Sequence, residues 1–343
     1  MIIRDAVDSD NLKMLEIHKD ASQSGAFEIV LLKKDFKSKS KLFEEGFYLV
    51  AEDENSKEII GFMGVGIATF KINGKVFKGA YFYDLRTNPK HRNKLARWLK
   101  KIIDEASSRL IKRGDVDFYY VSVKSDNAPS MRLMKHFSLT PVCKFEAISN
   151  VIFNKPISKK VEISDDFDLN ELEKIYTIEN DKYDFLPLNL KENFFLPLLN
   201  EKKLIKFQYN SATIYGWNTQ DISDIGIIKI SKRLVVLQKT LKFFSKIIPL
   251  FKIPELNKNM KNFHVFYYDY KNEKDFKKLL KSLHGYCYKN DFYLLNFFLG
   301  KNSKINKKIF GKINFSVEFT LLANAVTDVD FSNLKEITWL PRL

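Results

Sequence analysis

The most constraining feature of the sequence is a strand pattern that passes through a short basic turn into a long helix pattern. Residues 76–87 form the strand pattern, which stops at Asn88-Pro89 because proline cannot continue a strand ladder. Residues 92–112 then place apolar side chains at helical spacing, and Gly114 ends the helix. Such a junction directs free backbone N–H groups and the helix dipole at one point, so it predicts an anion site of the phosphate-binding type.

The patterns on either side of this junction predict a mixed sheet with helices between its strands. The acidic turn at 53–56 indicates one hairpin. Asn73-Gly74 indicates another, because Asn-Gly accepts the positive φ of a tight turn. The predicted order is strand, helix, three strands, helix, strand, helix and strand, at residues 1–4, 8–21, 47–52, 58–70, 76–87, 92–112, 118–123, 129–136 and 142–152.

The length of the chain predicts two domains, since 343 residues exceed what one hydrophobic core usually serves. A polar stretch at 154–168 contains Pro156 and lacks apolar periodicity, so we place the boundary there and expect domains at 1–153 and 160–343. The second half repeats the coarse rhythm of the first. Its patterns predict helices at 169–176, 234–248 and 273–288 and strands at 204–208, 212–217, 225–230, 264–270, 292–299 and 315–322. We therefore expect an α/β (α+β mixed-sheet) fold in both halves.

The charge of the chain bears on its partners. It carries 57 Lys and Arg against 42 Asp and Glu, and the formal net charge of +15 would attract nucleic acid, anionic membranes or acidic ligands. The basic residues are spread along the chain, and the sequence lacks zinc spacings, helix-turn-helix patterns and aromatic RNA-binding signatures. We therefore expect no nucleic-acid partner.

The cysteines, histidines and apolar runs predict neither a metal site nor a membrane anchor. Cys143, Cys287 and five scattered histidines form no spacing typical of a metal, redox or triad site. The amino terminus lacks the layout of a signal peptide, and no uncharged apolar run reaches the about 18 residues of a membrane-spanning helix. We expect a cytoplasmic protein.

The basic turn carries a resemblance to a known family. The segment Arg92-Asn93-Lys94-Leu95-Ala96-Arg97 resembles the pyrophosphate loop, Arg/Gln-x-x-Gly-x-Gly/Ala, of the GNAT superfamily of acyl-CoA-dependent N-acetyltransferases. The ungapped match lacks both small residues of that loop. A second register, with one residue deleted after Lys94, aligns Ala96 with the small residue and is preferred.

Two further segments resemble the same family. Residues 126–137 are similar to the family's Asn-x-x-Ala/Ser-x-x-Leu-Tyr-x-x-x-Gly-Phe segment, with matches at Asn127 and Ser130. The opening residues 3–10 also suit the family's first strand and helix. The resemblance covers about 150 residues, and the second half resembles a degenerate copy in tandem, with Glu273 and Asp275 where the anion would lie.

The resemblance implies a cofactor and a set of site residues. Acetyl-CoA is the implied co-substrate. Met134 occupies the position where family members often carry a Tyr that donates a proton to the departing thiolate. We expect Asp84 as the proton-accepting base, with Tyr83 nearby. A carboxylate paired with Arg86 or Arg92 is an equally open interpretation of Asp84. The cofactor-binding residues implied are Leu85, Arg86, Thr87, Arg92, Asn93, Lys94, Leu95, Ala96, Arg97, Asn127 and Ser130.

The predicted function is transfer of an acetyl group from acetyl-CoA to a primary amine of a small molecule, an amino-sugar or a peptide. Two alternatives stay open. One is a catalytically silent binding or scaffold protein, because the loop glycine and the family Tyr are absent. The other is a peptidoglycan-type transferase that moves aminoacyl groups from tRNA. The net charge of +15 would favour binding of the tRNA. The acceptor and the oligomeric state, including a homodimer, are left open.

Overall fold

The computed structural model describes residues 1–20, 27–33, 35–173, 185–220, 222, 224–230, 259–300, 307–310, 314–332 and 334. Within these residues one mixed sheet dominates the chain. Twelve strands follow one another in the order β1-β3-β4-β5-β6-β15-β7-β14-β13-β11-β10-β8, and β2, β9 and β12 pair off this path. The α/β fold with a mixed sheet is therefore confirmed.

The first half of the chain contains the predicted strand and helix order with two additional elements, β2 and α2. Its elements are β1 (Ile2–Asp5), α1 (Asn11–Asp20), β2 (Phe27–Leu32), α2 (Phe36–Ser40), β3 (Glu45–Glu52), β4 (Ile59–Ile72), β5 (Lys75–Thr87), α3 (Leu95–Arg113), β6 (Phe118–Lys124), α4 (Ala128–His136) and β7 (Thr140–Val151). Both predicted hairpins form, as antiparallel pairing joins β3 to β4 and β4 to β5. At the second turn Asn73 and Gly74 have φ values of 47° and 82°.

The described residues of the second half contain a similar succession of strands and one long helix. Its elements are β8 (Glu162–Ser164), β9 (Phe185–Pro187), α5 (Leu196–Asn200), β10 (Leu204–Tyr209), β11 (Ala212–Asn218), β12 (Asp224–Ile230), β13 (Asn259–Tyr270), α6 (Glu273–Lys289), β14 (Phe292–Gly300) and β15 (Asn314–Ala325). The helix predicted at 234–248 lies outside the described residues.

Strands from the two halves interleave in the sheet. β15, near the end of the chain, lies between β6 and β7 and pairs antiparallel with both. β7 pairs with β14 on its other side. The backbone hydrogen-bond ladder therefore crosses the boundary predicted near 154–168, and the division into domains stays a prediction.

Three apolar clusters form the core. The first packs α3 on one face of the sheet and includes Phe82 and Trp98. The second packs α6 and includes Phe263 and Leu283. The third lies on the face opposite to both helices and contains residues of both halves. We call it the shared face; it includes Tyr48, Tyr81, Tyr83, Tyr120, Phe194, Tyr215 and Trp217.

Candidate active site

Two parallel strands of the first half diverge at the predicted anion site. β5 pairs with β6 only from Gly79↔Phe118 to Tyr81↔Tyr120. Beyond Tyr81, β5 continues beside β4, whereas β6 continues beside β15. The stacked rings of Tyr81 and Tyr120, with centroids 4.9 Å apart, lie at the inner end of the divergence. A wedge therefore opens between β5 and β6 on the side that leads to α3.

A β-bulge in β5 places Asp84 beside this wedge. Gly64 pairs with Tyr83 and Phe62 with Arg86, so Asp84 and Leu85 together oppose one residue of β4. Asp84 has a φ of 52°, a left-handed conformation that Asp adopts more readily than most non-glycine residues. The bulge interrupts the alternation of side chains, and Asp84 contacts residues of the shared face, as Tyr83 does.

Three side chains from other elements donate to the carboxylate of Asp84. The Tyr48 hydroxyl lies 2.8 Å from Oδ2, and Lys33 donates to the same oxygen. Lys39 Nζ lies 3.5 Å from Oδ1 and 4.6 Å from the centroid of the Tyr83 ring. The side chains of Lys33, Lys39 and Asp84 are 2%, 4% and 6% exposed, so the cluster is withdrawn from water.

Burial and charge act in opposite directions on the pKa values of this cluster. Burial alone would raise the pKa of Asp84, but Lys33, Lys39 and Arg86 outweigh it and hold that pKa well below its ordinary value. Burial lowers the pKa of Lys39 to about 7, although Asp84 acts to raise it. Burial also lowers the pKa of Lys33. Asp84 is therefore ionised at neutral pH, and Lys39 changes its charge near that pH.

A neutral histidine supports the other side of the bulge. Arg86 Nε donates to Nδ1 of His18 at 3.2 Å, and Arg86 also donates to the Leu85 carbonyl. Burial, reinforced by the charge of Arg86, lowers the pKa of His18 to about 3, so the neutral imidazole accepts this bond at an unprotonated Nδ1. Asp84 takes its hydrogen bonds from Lys33, Lys39 and Tyr48, while Arg86 acts on it through charge.

The predicted pyrophosphate loop lies at the mouth of the wedge. Leu85, Arg86 and Thr87 complete β5, a 3-10 turn spans Pro89–Lys94, and α3 begins at Leu95. The backbone thus passes from strand to helix as predicted, with Arg92, Asn93 and Lys94 in the turn and Leu95, Ala96 and Arg97 in the first helical turn. The side chains of residues 92–97 lie outside the described part of the chain.

The second predicted segment begins a helix after β6. The Asn127 side chain caps α4 by accepting a hydrogen bond from the Ser130 backbone N–H at 3.2 Å. Met134 is 4% exposed and packs in the cluster that contains α3. Since Met134 is embedded in this core, a core contact accounts for the residue at the family's Tyr position. The assignment of Asn127 and Ser130 to cofactor binding stays a prediction.

Sequence patterns did not single out Lys33, Lys39, Tyr48 or His18 as members of this site. Lys33 and Lys39 lie in a lysine-rich stretch that has the pattern of a solvated surface, and Tyr48 lies in a strand that reads as core. Burial of a lysine beside a carboxylate is a tertiary property, and the local sequence carries no signal of it.

Comparison with known proteins identifies the fold. No known family model matches the sequence, and no curated protein sequence matches it. Among solved structures, Saccharomyces cerevisiae N-myristoyltransferase with bound myristoyl-CoA superposes with a TM-score of 0.63 at 10% identity, covering 94% of this chain and 82% of that one. A conserved protein of unknown function from Enterococcus faecalis V583, described as a probable N-acyltransferase, superposes with a TM-score of 0.50 at 11% identity, covering 95% and 72%.

The fold and the diverging strands place this chain in a structural class. It has the fold of the GNAT-type N-acyltransferases, as the sequence resemblance predicted. At 10–11% identity, the likeness establishes the fold, and the substrates of those proteins are not transferred by it.

Two features are absent from the described residues, a metal-binding cluster and a membrane-spanning helix. In that part of the chain no cluster of three His, Cys, Asp or Glu side chains is arranged to hold a metal ion. Over the same residues no helix combines the length and apolar character needed to cross a membrane.

Proposed function

We propose that the chain is an N-acyltransferase that moves an acyl group from a CoA thioester to an amine. The observation that carries this proposal is the position of the bulge at Asp84, beside the divergence of β5 and β6 and eleven residues before α3 begins at Leu95. A phosphate group at the α3 terminus would leave the rest of an extended cofactor free to enter the wedge. The reactive thioester would then meet the shared face near Asp84.

The reaction needs one proton to leave the acceptor and one to reach the leaving group. As the amine nitrogen attacks the thioester carbonyl, a C–N bond forms, the C–S bond breaks, and the nitrogen loses a proton while the thiolate takes one up. In our assignment, the ionised carboxylate of Asp84 binds the acceptor amine in its ammonium form. Lys39 is the proton acceptor, because its pKa of about 7 allows it to exchange a proton near neutral pH.

This assignment changes the role predicted for Asp84 but keeps the residue in the site. A carboxylate whose pKa is well below its ordinary value is a weak base, since two lysines and Arg86 stabilise its charged form. Tyr83 contributes its ring, which lies beside Lys39. Asp84 as the base stays a prediction. The variant Lys39→Met distinguishes it from our assignment of Lys39 as the proton acceptor.

A short acyl group fits the inner end of the wedge better than a long one. Rings of the shared face fill this region: Tyr81 stacks on Tyr120, and the Phe118 and Phe70 rings lie 5.8 and 5.5 Å from Tyr120. Aromatic side chains packed at these distances leave little volume for a long hydrocarbon chain. We therefore propose acetyl-CoA or a similarly short acyl-CoA as the donor, and a small molecule, amino-sugar or peptide with a primary amine as the acceptor.

The first test measures cofactor binding by thermal unfolding with acetyl-CoA, decanoyl-CoA, CoA and ADP. A ligand that binds only the native state raises the melting temperature. We expect acetyl-CoA and CoA to raise it well above the effect of ADP, and decanoyl-CoA to raise it less than acetyl-CoA. No rise with any CoA compound would overturn the proposal in favour of a catalytically silent protein.

Turnover is then measured as amine-dependent release of CoA from acetyl-CoA over a panel of amines and amino-terminal peptides. Release that requires both amine and protein supports acyl transfer to nitrogen. Cofactor binding without release from any member of the panel would instead support a binding protein. A protein that binds tRNA with a steep dependence on salt would point to the aminoacyl-tRNA alternative.

A further inference from the structure

Three polar side chains form a row across neighbouring strands of the second half. Trp217 on β11 pairs with His264 on β13, and His264 pairs with Asn296 on β14. Their exposed fractions are 1%, 9% and 6%. Trp217 and Phe298, which stacks on His264, belong to the shared face, so the row lies on the same side of the sheet as Asp84.

Each of these side chains has a buried polar atom without a partner among the described residues. Asn296 Nδ2 and His264 Nε2 lie 3.1 Å apart and bond to each other. His264 Nδ1, Asn296 Oδ1 and Trp217 Nε1 have no hydrogen-bond partner in the described part of the chain. Unpartnered buried polar groups lower stability, so three of them in one row require an explanation.

The free atoms define the chemistry of a complementary group. If Asn296 donates to His264, then His264 Nδ1 is a donor and Asn296 Oδ1 an acceptor; if the Asn296 amide is turned over, the two roles exchange. Either way the two neighbouring side chains offer one free donor and one free acceptor, and Trp217 Nε1 adds a second donor. Because the N–H and C=O of one trans amide point in opposite directions, the group that matches this set is an extended segment with two consecutive secondary amides, which offers the N–H of one and the C=O of the other.

The row also favours a neutral ligand. Burial lowers the pKa of His264 to about 3, so its imidazole is uncharged at neutral pH. Neither Trp217 nor Asn296 carries a charge. An anion or a cation would have to leave water without an opposite charge from these three residues, whereas an amide would not.

The position of the row repeats the geometry of the first half. β13 and β14 are parallel and joined by α6, as β5 and β6 are joined by α3. Their pairing ends at Val265↔Phe297, directly after His264↔Asn296, and a register shift in the β11–β13 pairing follows next to Val265. In the first half the last pair before the divergence is aromatic, Tyr81 and Tyr120. In the second half a polar pair lies at the divergence.

We propose that Trp217, His264 and Asn296 form a binding site for a neutral extended segment with two secondary amides, such as a peptide or the pantetheine arm of CoA. The site is separate from the Asp84 cluster, and it does not depend on the proposed acyl transfer. The N–H of one amide would donate to the free acceptor of the His264–Asn296 pair, and the C=O of the other amide would accept from its free donor. Trp217 would donate a second hydrogen bond to that carbonyl oxygen.

The test follows the Trp217 indole N–H by NMR in the full chain, with the signal assigned by its loss in Trp217→Phe. The probes are N-acetylglycine N-methylamide, which is a minimal peptide unit, and pantetheine. We expect a saturable shift of the Trp217 signal, and affinity about tenfold weaker in Asn296→Leu, because tenfold corresponds to roughly 1.4 kcal/mol, the scale of one hydrogen bond. Tighter binding of pantetheine would identify the cofactor arm as the source, and tighter binding of the acetylglycine amide would identify a peptide.

Asn150→Leu is the matched control. Asn150 is 1% exposed on β7 and also has an unpartnered side chain among the described residues. It neighbours Ser149, which pairs with Asn296, and therefore faces the other side of the sheet. Its replacement is expected to leave probe affinity unchanged. Absence of a saturable shift with both probes up to their solubility limits, or equal loss of affinity in both leucine variants, would overturn the proposal.

Discussion

Lys39 and Asp84 form a buried ion pair across the shared face, with Lys39 Nζ 3.5 Å from Asp84 Oδ1. The lysine lies on α2 and the carboxylate on the bulge of β5, so the pair joins a short helix to the point where the sheet opens. Lys33, which precedes α2, reaches the other oxygen of Asp84. One carboxylate therefore holds the segment around α2 against the sheet.

Asp84→Asn is expected to lower the free energy of unfolding by about 3–5 kcal/mol, because it leaves buried lysines without their carboxylate. Urea unfolding measures this change. Asp115→Asn is the control, since Asp115 is 43% exposed and pairs with Arg113 and Lys78 on the surface. Asp115→Asn should lower the free energy of unfolding by less than about 1 kcal/mol. Similar small effects in both variants would contradict the buried pairing.

Lys39→Met tests the pKa of Lys39 through the pH dependence of stability. The folded-state pKa of about 7 lies below the ordinary value of 10.5, so between these two pH values the unfolded chain binds a proton that the folded chain does not. Stability of the natural chain should therefore rise with pH across this window, relative to the Met variant. The rise in the free energy of unfolding is at most roughly 1.4 kcal/mol for each unit of difference between the folded and unfolded pKa values of Lys39.

Lys41→Met serves as the control for that experiment, because Lys41 is exposed one residue beyond α2. Its stability profile should run parallel to that of the natural chain between pH 7 and pH 10. A Lys39→Met profile that is also parallel would show that Lys39 has an ordinary pKa. In the amine assay, loss of the rise in rate near pH 7 in Lys39→Met but not in Lys41→Met would support Lys39 as proton acceptor over Asp84.

The double variant Arg92→Ala/Lys94→Ala tests the predicted pyrophosphate contacts. Two charge-assisted hydrogen bonds of roughly 1.5–3 kcal/mol each predict at least about a hundredfold weaker binding of CoA. Isothermal titration measures the affinity, and circular dichroism checks the fold. Lys100→Ala/Lys101→Ala removes the same charge from exposed positions later in α3 and should change the affinity little. Equal affinities for CoA in the two double variants would contradict the placement of the pyrophosphate site in this loop.

Gly64→Ala is expected to disturb the bulge. A Cβ at Gly64 would lie 2.4 Å from the Tyr83 ring, which is itself packed between Phe43 and Tyr48. Overpacking of this kind costs about 1–3 kcal/mol. In a double-mutant cycle followed by urea unfolding, Gly64→Ala should cost less in the Tyr83→Val background than in the natural chain, because that background lacks the ring. A Gly64→Ala variant as stable as the natural chain would mean that Tyr83 moves freely.

Most strands and helices of the first half were predictable because each depends on local chemistry, whereas β2 and α2 were not predicted. Asn73-Gly74 specifies a tight turn, Asn88-Pro89 ends a strand, and the apolar spacing at 92–112 gives α3. Asp84 could also be singled out, as a lone carboxylate in an apolar strand before a basic turn. These signals lie within a few residues of the features that they specify.

What the sequence alone determined about this protein is therefore the order of its elements, the strand-to-helix junction and the candidacy of Asp84. Only the tertiary structure decided that β15 enters between β6 and β7, that Lys33 and Lys39 face Asp84, and that His264 and Asn296 lie side by side. The physical reason is distance along the chain. Hydrogen bonds and ion pairs between residues far apart in sequence form only when the whole sheet brings their strands together, and no local pattern of residue types encodes that pairing.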